Sequence, residues 1–259
     1  MAGTQIPFRE RGKYMSGLRL RALLATVVLL CAGAAIALAT PEPSAVPVAW
    51  ELKLDPTAPM RIQVDTGSGP RMYWYMLYTV RNETGEDVDF LPEIVRVSEA
   101  ESELPADKIA ANPTAAPTVN VDPAIVGLDS RIYKAIVARH AKTHPFLVTP
   151  VEAIGRLLQG GDNARTSVAV FPDLNPRVSK FTIYFGGLSG ERITRPNPAY
   201  AAHHDASGSM SNGHRADDES NPKLFVLRKT LAMPYTLPGD LRTRSSATPV
   251  LGRMTWVMR

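Results

Sequence analysis

The sequence of 259 residues has a single cysteine, few aromatic residues and no surplus of charge beyond its first 39 residues. Because Cys31 has no partner within the chain, no intrachain disulfide can stabilise the fold. The stability of the protein must therefore come from a buried core. Aromatic residues make up 7%, charged residues 21% and hydrophobic residues 44% of the chain. This composition is typical of a globular protein and excludes collagen-like and wholly disordered chains.

The formal net charge of +4 arises entirely at the N-terminus. Residues 1–39 hold five arginines and lysines against one glutamate, which leaves 24 basic and 24 acidic residues for the rest of the chain. A protein that binds nucleic acid has to neutralise phosphates with a basic surface. The balanced body therefore excludes nucleic acid as the principal partner.

An uncharged apolar run, residues 22–39, directly follows the basic segment 1–21, and this order is typical of an export signal. Ala37 and Ala39 form the small-x-small pattern that predicts cleavage after Ala39. The run is also just long enough to cross about 30 Å of hydrocarbon as an uncleaved anchor. Both interpretations stay open. In either case the basic segment remains cytoplasmic, and the rest is exported to the periplasm or cell envelope, tethered to the inner membrane if the run is not cleaved.

The exported part consists of a proline-rich linker, 40–47, and one predicted domain, 48–259. Apolar residues alternate with polar ones in short segments separated by turn residues, a pattern that predicts strands. The predicted strands are 48–54, 60–64, 72–80, 88–90, 94–97, 167–171, 181–185, 224–227 and 255–258. Such a series predicts a mainly β fold, an antiparallel immunoglobulin-like β-sandwich with one or two short helices in an insertion. Because segment 72–80 is apolar on both faces, we expect a central strand covered on both sides.

Two inserts interrupt this pattern, 98–145 and 196–222. The first begins with an irregular, proline-containing stretch, and the apolar spacing after Asp129 then predicts a short amphipathic helix that ends before Pro145. Residues 149–158 begin with a capping-box pattern and are compatible with a second helix or with a strand. The second insert is small and polar throughout, which predicts an exposed loop.

Five segments together resemble secreted planctomycete-type bacterial proteins of unknown function. They are the aromatic strand 74–80, the turn 82–87, the strand 168–171, the segment 181–188 and the ending 256–259. The first hairpin, an aromatic strand followed by a V-x-N-x-T-G-E turn, is similar to that of immunoglobulin-like envelope domains. The resemblance implies an exported immunoglobulin-like domain and carries over no catalytic residue.

The densest group of metal-ligand side chains lies in the second insert. Its members are His203, His204 and His214, with acidic residues nearby at Asp205 and 217–219. Imidazole and carboxylate groups suit zinc, so one hypothesis is a metal-binding protein or a metal-dependent hydrolase that uses this 203–219 loop. Against it, adjacent histidines lack the i, i+4 spacing that directs two rings at one ion, and a solvated loop is the competing interpretation.

Four neighbouring aromatic residues form the second candidate site: Tyr73, Trp74, Tyr75 and Tyr78. On an exposed strand they would form a platform on which a glycan or peptide could stack. Aromatic residues in a strand more often pack into a core, because they carry the largest burial free energies.

Other chemical motifs are absent or weak. The only cysteine lies in the export segment, no Gly-x-Ser-x-Gly elbow occurs, and the sequence indicates no cofactor. His140 and His144 favour a helix end, Asn82–Thr84 favours an Asx turn, and Gly186–Gly190 favours a plain turn. The leading hypothesis is therefore a non-enzymatic structural or interaction module with an envelope protein or a glycan as partner.

Overall fold

The computed structural model describes residues 41–102, 117–197, 200 and 222–259, and Glu42–Arg259 forms one compact unit. This unit is mainly β with antiparallel sheets, as predicted. Its strands are β1 (Lys53–Pro56), β2 (Met60–Asp65), β3 (Pro70–Asn82), β4 (Val88–Phe90), β5 (Glu93–Ala100), β6 (Thr118–Pro123), β7 (Gly155–Leu157), β8 (Gly160–Pro172), β9 (Val178–Gly186), β10 (Arg192–Pro196), β11 (Leu224–Thr236), β12 (Val250–Leu251) and β13 (Thr255–Met258). Helix α1 (Ser130–His140) follows β6, and a 3-10 turn, Arg244–Ser246, precedes β12.

In the first sheet β3 is central, with β8 on one side and β1 and β2 on the other. The second sheet runs β6-β5-β9-β11, and β13 and β12 pair with the far side of β11. Strand β10 pairs with β11 in line with β9, so the β10–β11 ribbon extends the sheet at one end. A short ribbon joins β4 to β7.

The two faces of β3 belong to two different cores. Trp74, Met76 and Tyr78 project into the main core between the sheets, where they join Phe181 of β9 and Met233 of β11. Burial of each large side chain contributes about 2 to 3 kcal/mol to stability.

The opposite face of β3 is covered by the helix. Tyr75 and Leu77 pack with Ile132 and Ile136 of α1, which are 3% and 0% exposed. A helical layer therefore covers one face of β3 and the second sheet covers the other. The prediction that both faces of segment 72–80 are covered is confirmed.

The first predicted helix is confirmed, and its start is set by a cap. Asp129 accepts a hydrogen bond from the backbone N–H of Arg131 at 2.8 Å, and α1 ends at His140 before the predicted stop. The second segment is a turn followed by β7. Thr149 and Glu152 do form the reciprocal hydrogen bonds of a capping box, at 2.8 and 3.2 Å, but Gly155, at φ +111°, turns the chain away after one turn.

The irregular assignment of residues 98–123 is wrong at both ends. Strand β5 continues to Ala100, and Thr118–Pro123 forms β6 at the edge of the second sheet. Its apolar residues Val119 and Val121 face solvent, 60% and 58% exposed, so no buried alternating pattern marks this strand in the sequence. Strand β10 was missed because its sequence, Arg-Ile-Thr-Arg-Pro, is polar and also lies at a sheet end.

Candidate binding surface

The metal hypothesis falls on residues outside the described part of the chain, since His203, His204 and His214 all lie in 201–221. Within the described residues, no group of three or more His, Cys, Asp or Glu side chains is placed to hold a metal ion. The proposed export segment 22–39 also lies outside this part. None of the helices in the described ranges is long and apolar enough to cross a membrane.

The aromatic residues of β3 are core residues rather than an exposed platform. Trp74, Tyr75 and Tyr78 are 3%, 0% and 2% exposed, and the half-buried Tyr73 packs against the core beneath α1. The ligand-platform hypothesis for these residues is therefore corrected. The reason is that β3 is the central strand of three layers, so a ring on either face lies between packed elements.

The histidine pair at the end of α1 has a structural role. His140 Nε2 lies 2.9 Å from the Tyr75 hydroxyl, and the His140 and His144 ring centroids are 5.7 Å apart. Burial lowers the pKa of His140, and the nearby charges of His144 and Arg139 lower it further. His140 therefore favours the neutral ring that can share a hydrogen bond with the buried tyrosine.

Two turn predictions agree with the structure. Asn82 Oδ1 accepts from the backbone N–H of Thr84 at 3.1 Å, which is an Asx turn, and Asn82 itself is fully buried. Residues 187–190 turn the chain between β9 and β10. Gly187 has a φ of +83°, and a Cβ there would collide with the carbonyl of Leu91, so glycine is required.

Three arginines lie side by side across the outer face of the second sheet, the face that points away from the first sheet. Arg192 of β10 is the register partner of Arg228 of β11. Arg259, which follows β13, is also opposite Arg228, and their backbones exchange hydrogen bonds of 2.7 and 3.1 Å. Directly opposite residues of antiparallel strands project to the same face, so the three side chains form an arginine row.

In the described part of the molecule the arginine row forms no ion pairs, although Glu93 lines a cavity together with Arg228 and Arg259. All three side chains are exposed, and none forms an ion pair with a described Asp or Glu. Like charges directly opposite each other across two strands are destabilising. An anion bound between them would remove this repulsion.

A cavity of about 370 Å³ adjoins the row on the same face. Its lining includes Glu93, Tyr184, Val226, Arg228, Thr230 and Arg259. The Arg259 guanidinium carbon lies 4.3 Å from the centre of the Tyr184 ring, so this arginine is held over an aromatic face. Guanidinium groups only donate hydrogen bonds, and their planar fork matches carboxylate, sulfate and phosphate groups. The cavity can therefore hold an anionic group beside apolar and aromatic surface.

The base of the β10–β11 ribbon is fixed by a buried ionic cluster. Lys229 is 2% exposed and pairs with Glu51 and with Glu191, whose Oε2 lies 3.1 Å from Nζ. Ser44 joins this cluster, since its backbone N–H donates to Glu191 Oε1 at 2.8 Å and its carbonyl accepts from Lys229 Nζ at 3.2 Å.

These contacts fix the charge states of the cluster. Burial favours the neutral amine of Lys229, but hydrogen bonds and charges from Glu51 and Glu191 outweigh it and raise the Lys229 pKa. The backbone hydrogen bond from Ser44 is the main cause that lowers the pKa of Glu191. Both groups are therefore ionised at neutral pH, and residues 44–51 are tied to the ribbon base.

Sequence reasoning missed the arginine row. Arg192, Arg228 and Arg259 are separated by 36 and 31 residues, and the equal count of acids and bases in the body concealed their clustering. The signal present in the sequence was weak. Arg228 and Arg259 each stand at the end of a predicted strand, but only the pairing of β10, β11 and β13 makes them neighbours.

The fold and this surface together define a mainly β, two-sheet protein with a cationic outer face. The chain matches no protein-family model, no curated protein and no solved structure. The function therefore has to be inferred from the geometry of the outer face.

Proposed function

We propose that this chain is an exported, non-enzymatic interaction module that binds an anionic partner in the cell envelope through the arginine row. Its body is an immunoglobulin-like β-sandwich, held in the periplasm or tethered to the inner membrane. The aromatic strand and turn of residues 74–87 resemble, in sequence, those of the first hairpin of immunoglobulin-like envelope domains, and this resemblance supports the finer fold assignment, although β4 pairs with β7 rather than with β3. The basic segment 1–21 followed by the apolar run 22–39 supports export.

The register of Arg192, Arg228 and Arg259 is the observation that carries this function. Three adjacent guanidinium groups repel each other in the free protein, and a partner with carboxylate, sulfate or phosphate groups turns this repulsion into attraction. The balanced charge of the body argues against nucleic acid, which requires a basic surface over many phosphates. The partner is therefore an envelope protein or glycan with clustered negative charge, or another anionic component of the envelope.

The test is calorimetric titration of the chain, in the form recovered after export, with dextran sulfate as a soluble polyanion. We expect binding that weakens as salt is added, because exposed charges are screened over about 10 Å at moderate ionic strength. Arg228→Gln and Arg259→Gln should each weaken binding roughly tenfold, as expected for the loss of one charge-assisted hydrogen bond.

Arg71→Gln is the matched control, because Arg71 is an exposed strand arginine on the first sheet. It should leave the affinity unchanged. Absence of binding, or an equal loss with Arg71→Gln and Arg228→Gln, would contradict the proposed function.

A further inference from the structure

We propose that the outer face docks on the anionic lipid surface of the membrane from which the chain emerges. This inference rests on the proposed function and names its anionic partner as lipid headgroups. Three observations support it, namely the apolar character of the outer face, its charge, and the attachment of Ser44 at the ribbon base.

The outer face carries several exposed apolar side chains. Val97 of β5 lies opposite Val121 of β6, and Val119 of β6 lies opposite Glu99; Val119 and Val121 are 60% and 58% exposed. Val226 adds a further apolar side chain, 54% exposed, next to Arg228. No helix or sheet of the described part covers this face, whereas α1 covers the corresponding face of the first sheet. Exposed apolar side chains bordered by arginines are typical of surfaces that lie at a membrane interface.

The charge on this face is complementary to anionic lipids. Among the described residues of this face, Arg192, Arg228, Arg259 and Lys180 outnumber the acidic residues Glu93 and Glu99, although residues 40–259 as a whole are balanced. A basic side chain close to an anionic lipid surface raises the binding constant about fivefold. Tyr184, in the middle of the face, is a residue type enriched at membrane interfaces.

The attachment of Ser44 limits how far the domain can move from the membrane. Ser44 is held by Glu191, which precedes Arg192, and by Lys229, which follows Arg228, so it lies at the ribbon base on the sheet face opposite the arginine row. Only residues 40–43 separate the apolar run ending at Ala39 from Ser44. The distance from Ala39 to Ser44 is therefore at most about 18 Å, even when the chain between them is fully extended. With the run in the bilayer, the ribbon base therefore stays close to the headgroups.

A face-specific fluorescent probe tests this arrangement. Cys31 is the only cysteine, so Cys31→Ser provides a background in which Val226→Cys or Phe225→Cys carries a single environment-sensitive fluorophore. Both positions are exposed, 54% and 41%, but strand alternation places them on opposite faces of the ribbon. The labelled full chain is placed in nanodiscs of phosphatidylcholine alone or with roughly a third phosphatidylglycerol. A form cleaved after Ala39 is added to vesicles of the same lipids. Nitroxide-labelled lipids serve as quenchers.

We expect strong quenching of the Val226→Cys probe in anionic lipid and little quenching of the Phe225→Cys probe. High salt should abolish the difference. Arg228→Gln should reduce the ratio of docked to undocked chain about fivefold. Arg195→Gln, an exposed arginine on the opposite face of the ribbon, should leave this ratio unchanged.

Several results would overturn the lipid inference. Equal quenching at both probe positions would do so, and so would quenching of the same strength in neutral and in anionic lipid. Dextran sulfate binding without Val226→Cys quenching would reject lipid as partner and leave the proposed function standing, whereas loss of both would reject both. A triple variant tests whether acidic residues of the same chain occupy the arginine row instead; it combines Asp217→Asn, Asp218→Asn and Glu219→Gln. Docking that appears only in this variant would identify segment 217–219 as the occupant.

Discussion

Arg96 and Asp122 face each other across β5 and β6, in the space between the two sheets. Arg96 is 1% exposed, and its Nε and Nη2 donate to Asp122 Oδ2 at 3.2 and 2.7 Å. Nη2 also donates to the carbonyl of Pro172 at 3.0 Å. Burial lowers the pKa of Arg96, and the hydrogen bond and charge of Asp122 oppose this effect. A buried guanidinium needs such a partner, so this pair fastens the edge strand β6 to the sheet.

Asp122→Ala should lower the free energy of unfolding by about 3 kcal/mol, because it leaves an uncompensated charge between the sheets. In the double variant with Arg96→Met, neither charge of this pair remains, and part of the loss should be recovered. Urea denaturation of the wild type, both single variants and the double variant measures this coupling. Simply additive losses would show that the two side chains act independently.

Trp74→Ala should cost about 3 to 5 kcal/mol, through lost burial and the cavity left between the sheets. Trp74 is 3% exposed and packs edge-on against Phe181, with ring centroids 6.2 Å apart. Phe146→Ala is the control, because Phe146 is 86% exposed and its truncation should change stability by less than about 0.5 kcal/mol. Urea midpoints of the two variants measure the contrast, and a near-neutral Trp74→Ala would contradict the core assignment.

Tyr235→Phe should make the protein more resistant to alkali. Burial raises the pKa of Tyr235 to about 12, from its usual value of about 10. The stability contributed by the neutral phenol is therefore complete below about pH 10 and is lost as the pH rises toward about 12. Between about pH 9 and pH 11 the wild type should lose about 1 kcal/mol more stability than Tyr235→Phe, as measured by urea denaturation at each pH. Equal losses in the two proteins would show that this tyrosine does not govern alkaline unfolding.

Export gives a prediction that needs no variant. N-terminal sequencing of the recovered chain should begin at Thr40 if the signal is cleaved, or at the intact start in a membrane fraction if residues 22–39 remain as an anchor. Full-length protein found soluble in the cytoplasm would contradict both forms.

His203→Ala should change stability by less than about 0.5 kcal/mol if residues 203–219 form a solvated loop without an ion. Elemental analysis of the purified chain should then find no stoichiometric zinc. Zinc that is present in wild type and disappears when His203 and His204 are both replaced by alanine would instead support the metal-binding hypothesis.

Much of the fold was predictable because alternation of apolar and polar residues records which side of a strand is buried. Segment 72–80 is apolar at both its odd and its even positions, and this predicts the two covered faces of β3. Asp129 and the apolar spacing after it likewise predict α1, since a cap and one apolar stripe define a short helix. Edge strands gave no such signal, and the valines of β6 point to solvent.

The candidate surface could not be predicted in the same way. Alternation tells which face a residue occupies but not which distant residue lies beside it. The sequence by itself determined the apolar faces, the helix start and the charge balance of residues 40–259. Only the tertiary structure decided that Arg192, Arg228 and Arg259 share one row and that Ser44 is bound by Lys229 at the ribbon base, because these neighbours are set by strand register over long separations.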